Sequence, residues 1–149
     1  TRSLCDWSSD VCSSDLSIPL VASLDIAVSG YRVGQVSLTL PYTQANMGTG
    51  GVLAHPVLFA VGELAAVTVL GSHPALARLQ RLQKGSHIEY LSAATREVTA
   101  HAAIAVDQVQ AVLDAVARKG RARLEVAVQL LDSSGRDVAE VVSVFTLLA

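Results

Sequence analysis

The feature that most constrains the fold of this chain is the apolar stretch VLAHPVLFAVGELAAVTVL at residues 52–70. It lacks the alternating pattern of a half-buried strand, and it is too long for an ordinary strand. Its apolar residues occupy nearly all helical faces, which is typical of a buried helix. Pro56 suits the first turn of such a helix, and Gly71 suits its end. The sequence therefore predicts one long buried helix.

A stretch of this length could alternatively span a bilayer. Glu63 lies near its middle, however, and a charged side chain near the bilayer centre is costly. The segments that follow alternate between apolar and polar residues, as the strands of a sheet in water do. No basic segment followed by a clean apolar run marks a signal peptide. We therefore expect a cytoplasmic domain that has no membrane partner.

Strand patterns occur on both sides of the predicted helix, at residues 24–28, 33–42, 76–91, 97–106, 121–131 and 137–148. A second, amphipathic helix is predicted at residues 107–119, with Asp107 as its N-cap and Gly120 after its end. A hairpin turn is predicted where Gly135 takes a positive φ. This order of elements indicates an α+β fold, in which a curved antiparallel sheet wraps around one long buried helix.

Residues 1–16, TRSLCDWSSDVCSSDL, differ in composition from the rest of the chain and contain a near-repeat. We interpret them as a translated sequencing-adapter tail, with a genuine polar tail as the alternative, and we assign residues 17–149 to the folded domain. Cys5 and Cys12 are the only cysteines. The predicted domain therefore has no thiol that could serve in catalysis.

Composition limits the classes of partner and cofactor. The net charge is −2 and aromatic residues make up 4% of the chain. Nucleic-acid binding usually requires a basic stripe or stacking aromatics, so we expect no nucleic-acid partner. The histidines lack the spacing of metal ligands, and we predict neither a metal site nor a cofactor.

Glu63 is the only formally charged residue between Arg32 and Arg78. An ionised carboxylate among apolar side chains is costly unless it is hydrogen-bonded or paired. A carboxylate held in this way can act as a general base or acid. Alternatively, the side chain reaches a solvent edge or pairs with a basic group. We favour a chemical role for Glu63.

The helix entrance is the second feature with chemical potential. First-turn N–H groups have no partner within the helix, and they can stabilise a developing oxyanion. Pro56 has no N–H, so the donor would be a neighbour such as Val57. Val57 and Glu63 lie roughly 9 Å apart along the helix axis. One reacting carbonyl cannot contact both, so we expect a composite site between the subunits of a homo-oligomer.

Three motifs support a family resemblance. NMGTGGVLAHPVLFAVGELAA resembles the loop and helix of hotdog-fold thioesterases of the phenylacetate-degradation type. KGSHIEYLSAATREVTAHAAI resembles their next strand pair, and RLEVAVQLLDSSGRDVAEVVSVFTLL resembles their final hairpin. The likeness covers most of residues 30–149. It implies a dimer or tetramer that hydrolyses an acyl-CoA or acyl-carrier thioester.

The resemblance also implies site residues. Glu63 matches the acid that activates water or attacks the thioester, and Asn46 matches a loop asparagine that positions the reacting groups. These two are the predicted catalytic residues. The predicted substrate-binding residues surround the helix entrance: Gly48, His55, Pro56, Val57 and Phe59. His55-Pro56 departs from the Gly-Gly or Gly-Pro of many relatives, which puts the oxyanion contact in question.

Two other functions remain open. A non-catalytic acyl-binding or scaffold module would have the same fold, and the altered helix entrance favours it. A hydratase of this fold class usually needs a catalytic histidine paired with an acid. His55 is the only histidine near the helix, and its place beside Pro56 makes this third function the weakest.

Overall fold

The structure is a computed structural model and describes residues 19–149. The predicted tail at residues 1–16 lies outside the described residues. Four helices are α1 (Pro19–Ser23), α2 (His55–Ser72), α3 (Pro74–Ala77) and α4 (Val106–Lys119). Six strands are β1 (Ala27–Arg32), β2 (Gln35–Leu40), β3 (Gln80–Tyr90), β4 (Val98–Ala103), β5 (Arg121–Asp132) and β6 (Asp137–Leu148).

The six strands form one antiparallel sheet in the order β1-β2-β4-β5-β6-β3. α2 packs across one face of this sheet, against β2, β4, β5 and β6. Strand residues that face α2 are buried and alternate with exposed ones, most regularly along β5. This arrangement confirms the predicted α+β hotdog architecture, in which an antiparallel sheet surrounds one long helix. It also leaves β3 at an edge of the sheet.

Gly62 allows α2 to approach the sheet closely. A Cβ atom at this position would lie 2.5 Å from Val141 Cγ2 in β6, far inside van der Waals contact. No larger residue fits there without moving the helix or the strand. The glycine therefore sets the distance between α2 and the centre of the sheet.

The prediction of a strand at residues 24–28 is wrong. Asp25 has a φ of 59°, and the amides of Leu24 and Asp25 donate to carbonyls of α1, which closes a turn. The strand begins at Ala27 and continues through Gly30 to Arg32. A bulge between Val28 and Gly30 absorbs the irregularity.

Two further boundaries differ from the predictions. α4 begins at Val106, and Ala105 rather than Asp107 occupies the N-cap. The Gln108 side chain there accepts a hydrogen bond from Ala105 N–H at 2.9 Å. The predicted strand at residues 76–91 begins only at Gln80, because α3 occupies Pro74–Ala77.

Gly120 and Gly135 have φ values of 79° and 87°, which confirms the predicted helix end and hairpin turn. In that turn Asp132 accepts hydrogen bonds from Ser134 and from the Arg136 amide. The Ser134 hydroxyl bond is the main cause that lowers the pKa of Asp132 below its ordinary value. The stability contributed by this carboxylate is present above its ordinary pKa and is lost as pH falls through the lowered one.

Candidate active site

One stripe of α2 is not covered by the sheet. The helix residues at every fourth position are partly or fully exposed: His55, Phe59, Glu63, Val67 and Gly71. They face the edge strand β3, where the contacts are His55 with Tyr90, Glu63 with Gln83, and Val67 with Arg81. We call this line of contacts the α2–β3 seam. These contacts of the α2 stripe therefore lie at an edge of the sheet.

Glu63 is half-buried within one chain rather than fully sequestered. Its Oε1 accepts a hydrogen bond of 2.7 Å from Gln83 Nε2. Within residues 19–149 there is one ion pair, Arg123 with Glu125, so the described partner of Glu63 is a neutral amide. The carboxylate is held at one oxygen by this bond, and the residue remains partly exposed.

A bulge in β3 determines where Gln83 lies. Gln83 pairs with Phe145 and Gly85 pairs with Val144, so that Lys84 is an extra residue in the strand. β-bulges change the direction of the side chains beside them. Gly85, next to the extra residue, is the local sign of this bulge, since a glycine inside a strand often marks one. It does not indicate which side chain the bulge turns toward α2, and Gln83 was not among the predicted site residues.

Asn46 lies in the loop that leads into α2 and is only 1% exposed. Its Nδ2 donates to the carbonyl oxygens of Leu24 at 3.0 Å and Pro41 at 3.3 Å. The backbone carbonyl oxygen of Asn46 accepts from the Ala54 amide at 2.9 Å. Asn46 therefore fixes the loop at the helix entrance and has little surface available for a substrate.

The amides at the helix entrance are unequally available. Val57 and Leu58 both donate to Ala54 O at 3.1 Å, and proline at position 56 has no N–H. The Val57 amide, which the sequence suggested as an oxyanion donor, is thus already hydrogen-bonded. His55 is the first residue of α2, and its amide is the remaining candidate in the first turn.

Aromatic stacking marks the entrance end of the seam. The His55 and Tyr90 rings lie 3.7 Å apart and are nearly parallel, at 12°. The Tyr90 hydroxyl donates to His55 O at 3.3 Å. His55 and Pro56 are exposed, as is Gly48 in the preceding loop, whereas Phe59 and Val57 are half-buried. The structure thus brings His55, Pro56 and Phe59 to the open side of α2.

The two chemical ends of the seam remain apart within one chain. His55 and Glu63 are eight residues apart, which corresponds to roughly 12 Å along the helix axis. A reacting carbonyl cannot contact both the His55 amide and the Glu63 carboxylate of the same helix. Within a single chain the helix-entrance amide and the Glu63 carboxylate are therefore separate groups.

No group of three or more His, Asp or Glu side chains within residues 19–149 is placed to hold a metal ion. α2 is long and apolar enough to cross a membrane by length and composition alone. However, 56% of this helix is buried in the fold. The core helix of a globular domain can have the same length and apolar composition as a membrane-spanning helix.

The sheet order, the central helix and the seam define a hotdog-fold domain. The chain belongs to the family described as domain of unknown function DUF4442, whose model matches residues 13–147. A search of the curated proteins returns no match.

Solved structures agree with this fold. A probable thioesterase from Pseudomonas aeruginosa is 21% identical, with a TM-score of 0.82 over 88% of this chain and 87% of its own. A protein of unknown function from Chlorobaculum tepidum is 12% identical, with a TM-score of 0.75 over 89% and 87%. A thioesterase from Haemophilus influenzae is 16% identical, with a TM-score of 0.69 over 89% and 84%. The resemblance to hotdog-fold thioesterases is therefore confirmed in fold.

Proposed function

We propose that this protein hydrolyses a thioester, with Glu63 as the catalytic carboxylate. The observation that carries the proposal is a partly exposed glutamate on the core helix whose carboxylate is held by an amide. Several structures of the same fold belong to thioesterases or probable thioesterases, which supports this reaction class. The proposed substrates are acyl-CoA or acyl-carrier thioesters in the cytoplasm.

As a general base, Glu63 takes a proton from water while the water oxygen attacks the thioester carbonyl carbon. The resulting oxyanion accepts hydrogen bonds from backbone amides at a helix entrance. When the tetrahedral intermediate collapses, the carbon–sulfur bond breaks and the thiolate takes the proton from Glu63. As a nucleophile, Glu63 would instead form an anhydride that water then hydrolyses. Asn46 supports either route by holding the entrance loop.

The helix-entrance amide and the Glu63 carboxylate are brought together by a second copy of the chain. In the sheet that residues 19–149 form, β3 is an edge strand of 11 residues, and the outer side of such a strand offers unpaired backbone groups. In the proposed dimer two β3 strands pair antiparallel about a two-fold axis at His87, so that His87 lies opposite its own copy. Because Lys84 is the extra residue of the bulge and is passed over in this pairing, the partner's Tyr90 would lie opposite Gln83. The partner's His55 amide would then lie close to Glu63. The same register would place Leu82, 43% exposed, opposite the partner's Leu91, 53% exposed.

Crosslinking tests this dimer. In a chain with Cys5 and Cys12 changed to serine, His87→Cys should form a disulfide with its own copy, because directly opposed residues have Cα atoms within disulfide range. Val33→Cys, exposed at the turn between β1 and β2, is the matched control and should form no covalent dimer. Equal crosslinking of both variants would argue against the β3 interface.

Activity tests the role of Glu63. Wild type, Glu63→Gln and the control Glu140→Gln should be assayed against a panel of acyl-CoAs and acyl-carrier thioesters. Glu140 is an exposed carboxylate on the opposite face of the sheet. We expect Glu63→Gln to lower kcat by about 10²- to 10⁴-fold and Glu140→Gln to leave it unchanged. Equal rates for Glu63→Gln and wild type would remove Glu63 from the mechanism.

A non-catalytic acyl-binding module is the second candidate. It is favoured by the helix entrance, where Pro56 lacks an N–H and the Val57 amide is already bonded to Ala54. Calorimetry with an acyl-CoA distinguishes the two functions. Binding without turnover in the wild type would support the binding module.

A further inference from the structure

Glu63 is the first member of a chain of polar side chains that ends in the core of the sheet. Gln83 Nε2 donates to Glu63 Oε1 at 2.7 Å and to Ser86 Oγ at 2.8 Å. Ser86 Oγ lies 2.8 Å from Ser143 Oγ, and Ser143 is fully buried. The four side chains come from α2, β3 and β6. The network therefore joins three elements beneath the seam.

The chemistry of the network assigns the orientation of Gln83. An ionised carboxylate can only accept hydrogen bonds, so the Gln83 atom that faces Glu63 must be the amide nitrogen. The same nitrogen reaches Ser86, so that both amide hydrogens are used. Ser86, which accepts from Gln83, has its own proton available for Ser143. The amide of Gln83 is thus held at two points.

Ser143 anchors this arrangement. Its neighbours on the same face of β6, Val141, Phe145 and Leu147, are all apolar and buried. A buried hydroxyl without a partner is costly, and Ser86 supplies that partner. The position of Ser86 is therefore determined by the core, and the position of Gln83 by Ser86 and by the bulge in β3.

We propose that Gln83 is a positioning residue for Glu63. Its amide holds Oε1 and leaves Oε2 directed at the open seam, where water or the thioester carbon would react. A half-exposed glutamate without this bond would sample several rotamers, few of them productive. The inference rests on the proposed function, because it concerns how the Glu63 carboxylate is oriented.

Gln129 offers a matched control in the same chain. Its Nε2 donates to Asp137 Oδ1 at 2.8 Å, which is the same type of bond at nearly the same length. This pair lies on the other face of the sheet, away from α2. Replacing either glutamine by leucine removes one glutamine–carboxylate bond, but only Gln83→Leu affects Glu63.

The kinetic test compares Gln83→Leu with Gln129→Leu. We expect Gln83→Leu to lower kcat by about ten- to a hundredfold with KM within about twofold of wild type. The reason is that the orientation of the Glu63 carboxylate is lost while substrate binding is kept. Gln129→Leu should match wild type. In the Glu63→Gln background, Gln83→Leu should cause no further loss, because a residue that acts through Glu63 has nothing left to position.

Gln83→Glu provides a readout that a purely structural residue would not change. It has the shape of glutamine but places a second carboxylate beside Glu63. Two carboxylates in one site hold a proton between them, so the acid limb of the pH–rate profile should move to higher pH. If Gln83→Leu fails to fold, this isosteric variant decides the question. An unchanged profile would overturn the inference.

The outcomes separate the inference from the proposed function. If Glu63→Gln abolishes hydrolysis while Gln83→Leu keeps the wild-type kcat, Gln83 has no positioning role and the catalytic role of Glu63 stands. If Glu63→Gln hydrolyses thioesters as fast as wild type, the proposed function itself fails. A further loss from Gln83→Leu in the Glu63→Gln background would also overturn the inference.

Discussion

The two faces of α2 have different consequences for the protein. On the face toward the sheet, Leu58, Val61, Ala65 and Val69 are at most 2% exposed and form the centre of the core. On the seam face, His55, Phe59, Glu63, Val67 and Gly71 remain at least partly accessible. Three of them, His55, Glu63 and Val67, contact the edge strand β3. The first face stabilises the fold, while the second leaves a carboxylate and an amide-bearing helix end available for chemistry. The two sets of residues therefore lie on different faces of the same helix.

The largest expected difference between the faces is in stability. Leu58→Ala removes a side chain that is 2% exposed, and we expect it to lower the free energy of unfolding by about 2–5 kcal/mol. Phe59→Ala removes a larger but half-buried side chain next to it and should cost less. Urea unfolding of both variants checks this. A greater loss for Phe59→Ala would mean that the seam face is part of the core.

Gly62→Ala tests the close approach of α2 to β6. The new methyl group would lie 2.5 Å from Val141 Cγ2, so helix or strand must move. Overpacking of this kind costs about 1–3 kcal/mol, more than the gain in helix propensity. Thermal unfolding measures the loss. A variant as stable as wild type would show that the helix can move freely away from the sheet.

Gly71→Ala gives the smallest effect, with the opposite sign. Gly71 lies at the exposed end of the seam face, and a Cβ atom there would meet only Arg81 Nη1 at 3.5 Å, an ordinary contact. Alanine is favoured over glycine in a helix by about 0.5–1 kcal/mol. We therefore expect a slight rise in the unfolding midpoint. A destabilised Gly71→Ala protein would indicate that the seam is packed more tightly than the exposure of this residue suggests.

Sequence periodicity predicted α2, α4 and the final hairpin, because apolar spacing directly reflects which face is buried. It also identified Glu63, since a single charge in an apolar stretch stands out. Gln83, Ser86 and Tyr90 were missed because their importance depends on the register of β3 and its bulge. The burial of Asn46 and the engagement of the Val57 amide arise from loop contacts that leave no local pattern.

Mixing two inactive variants tests most directly whether Glu63 of one copy works with the helix entrance of its partner. His55→Pro removes the entrance amide at a position that tolerates proline, and His55→Ala controls for loss of the ring. When His55→Pro and Glu63→Gln chains are unfolded and refolded together, each mixed dimer should contain one intact composite site. We predict recovery of about a quarter of wild-type activity, since about half of the dimers are mixed. A mixture no more active than either variant alone would contradict a site shared between subunits.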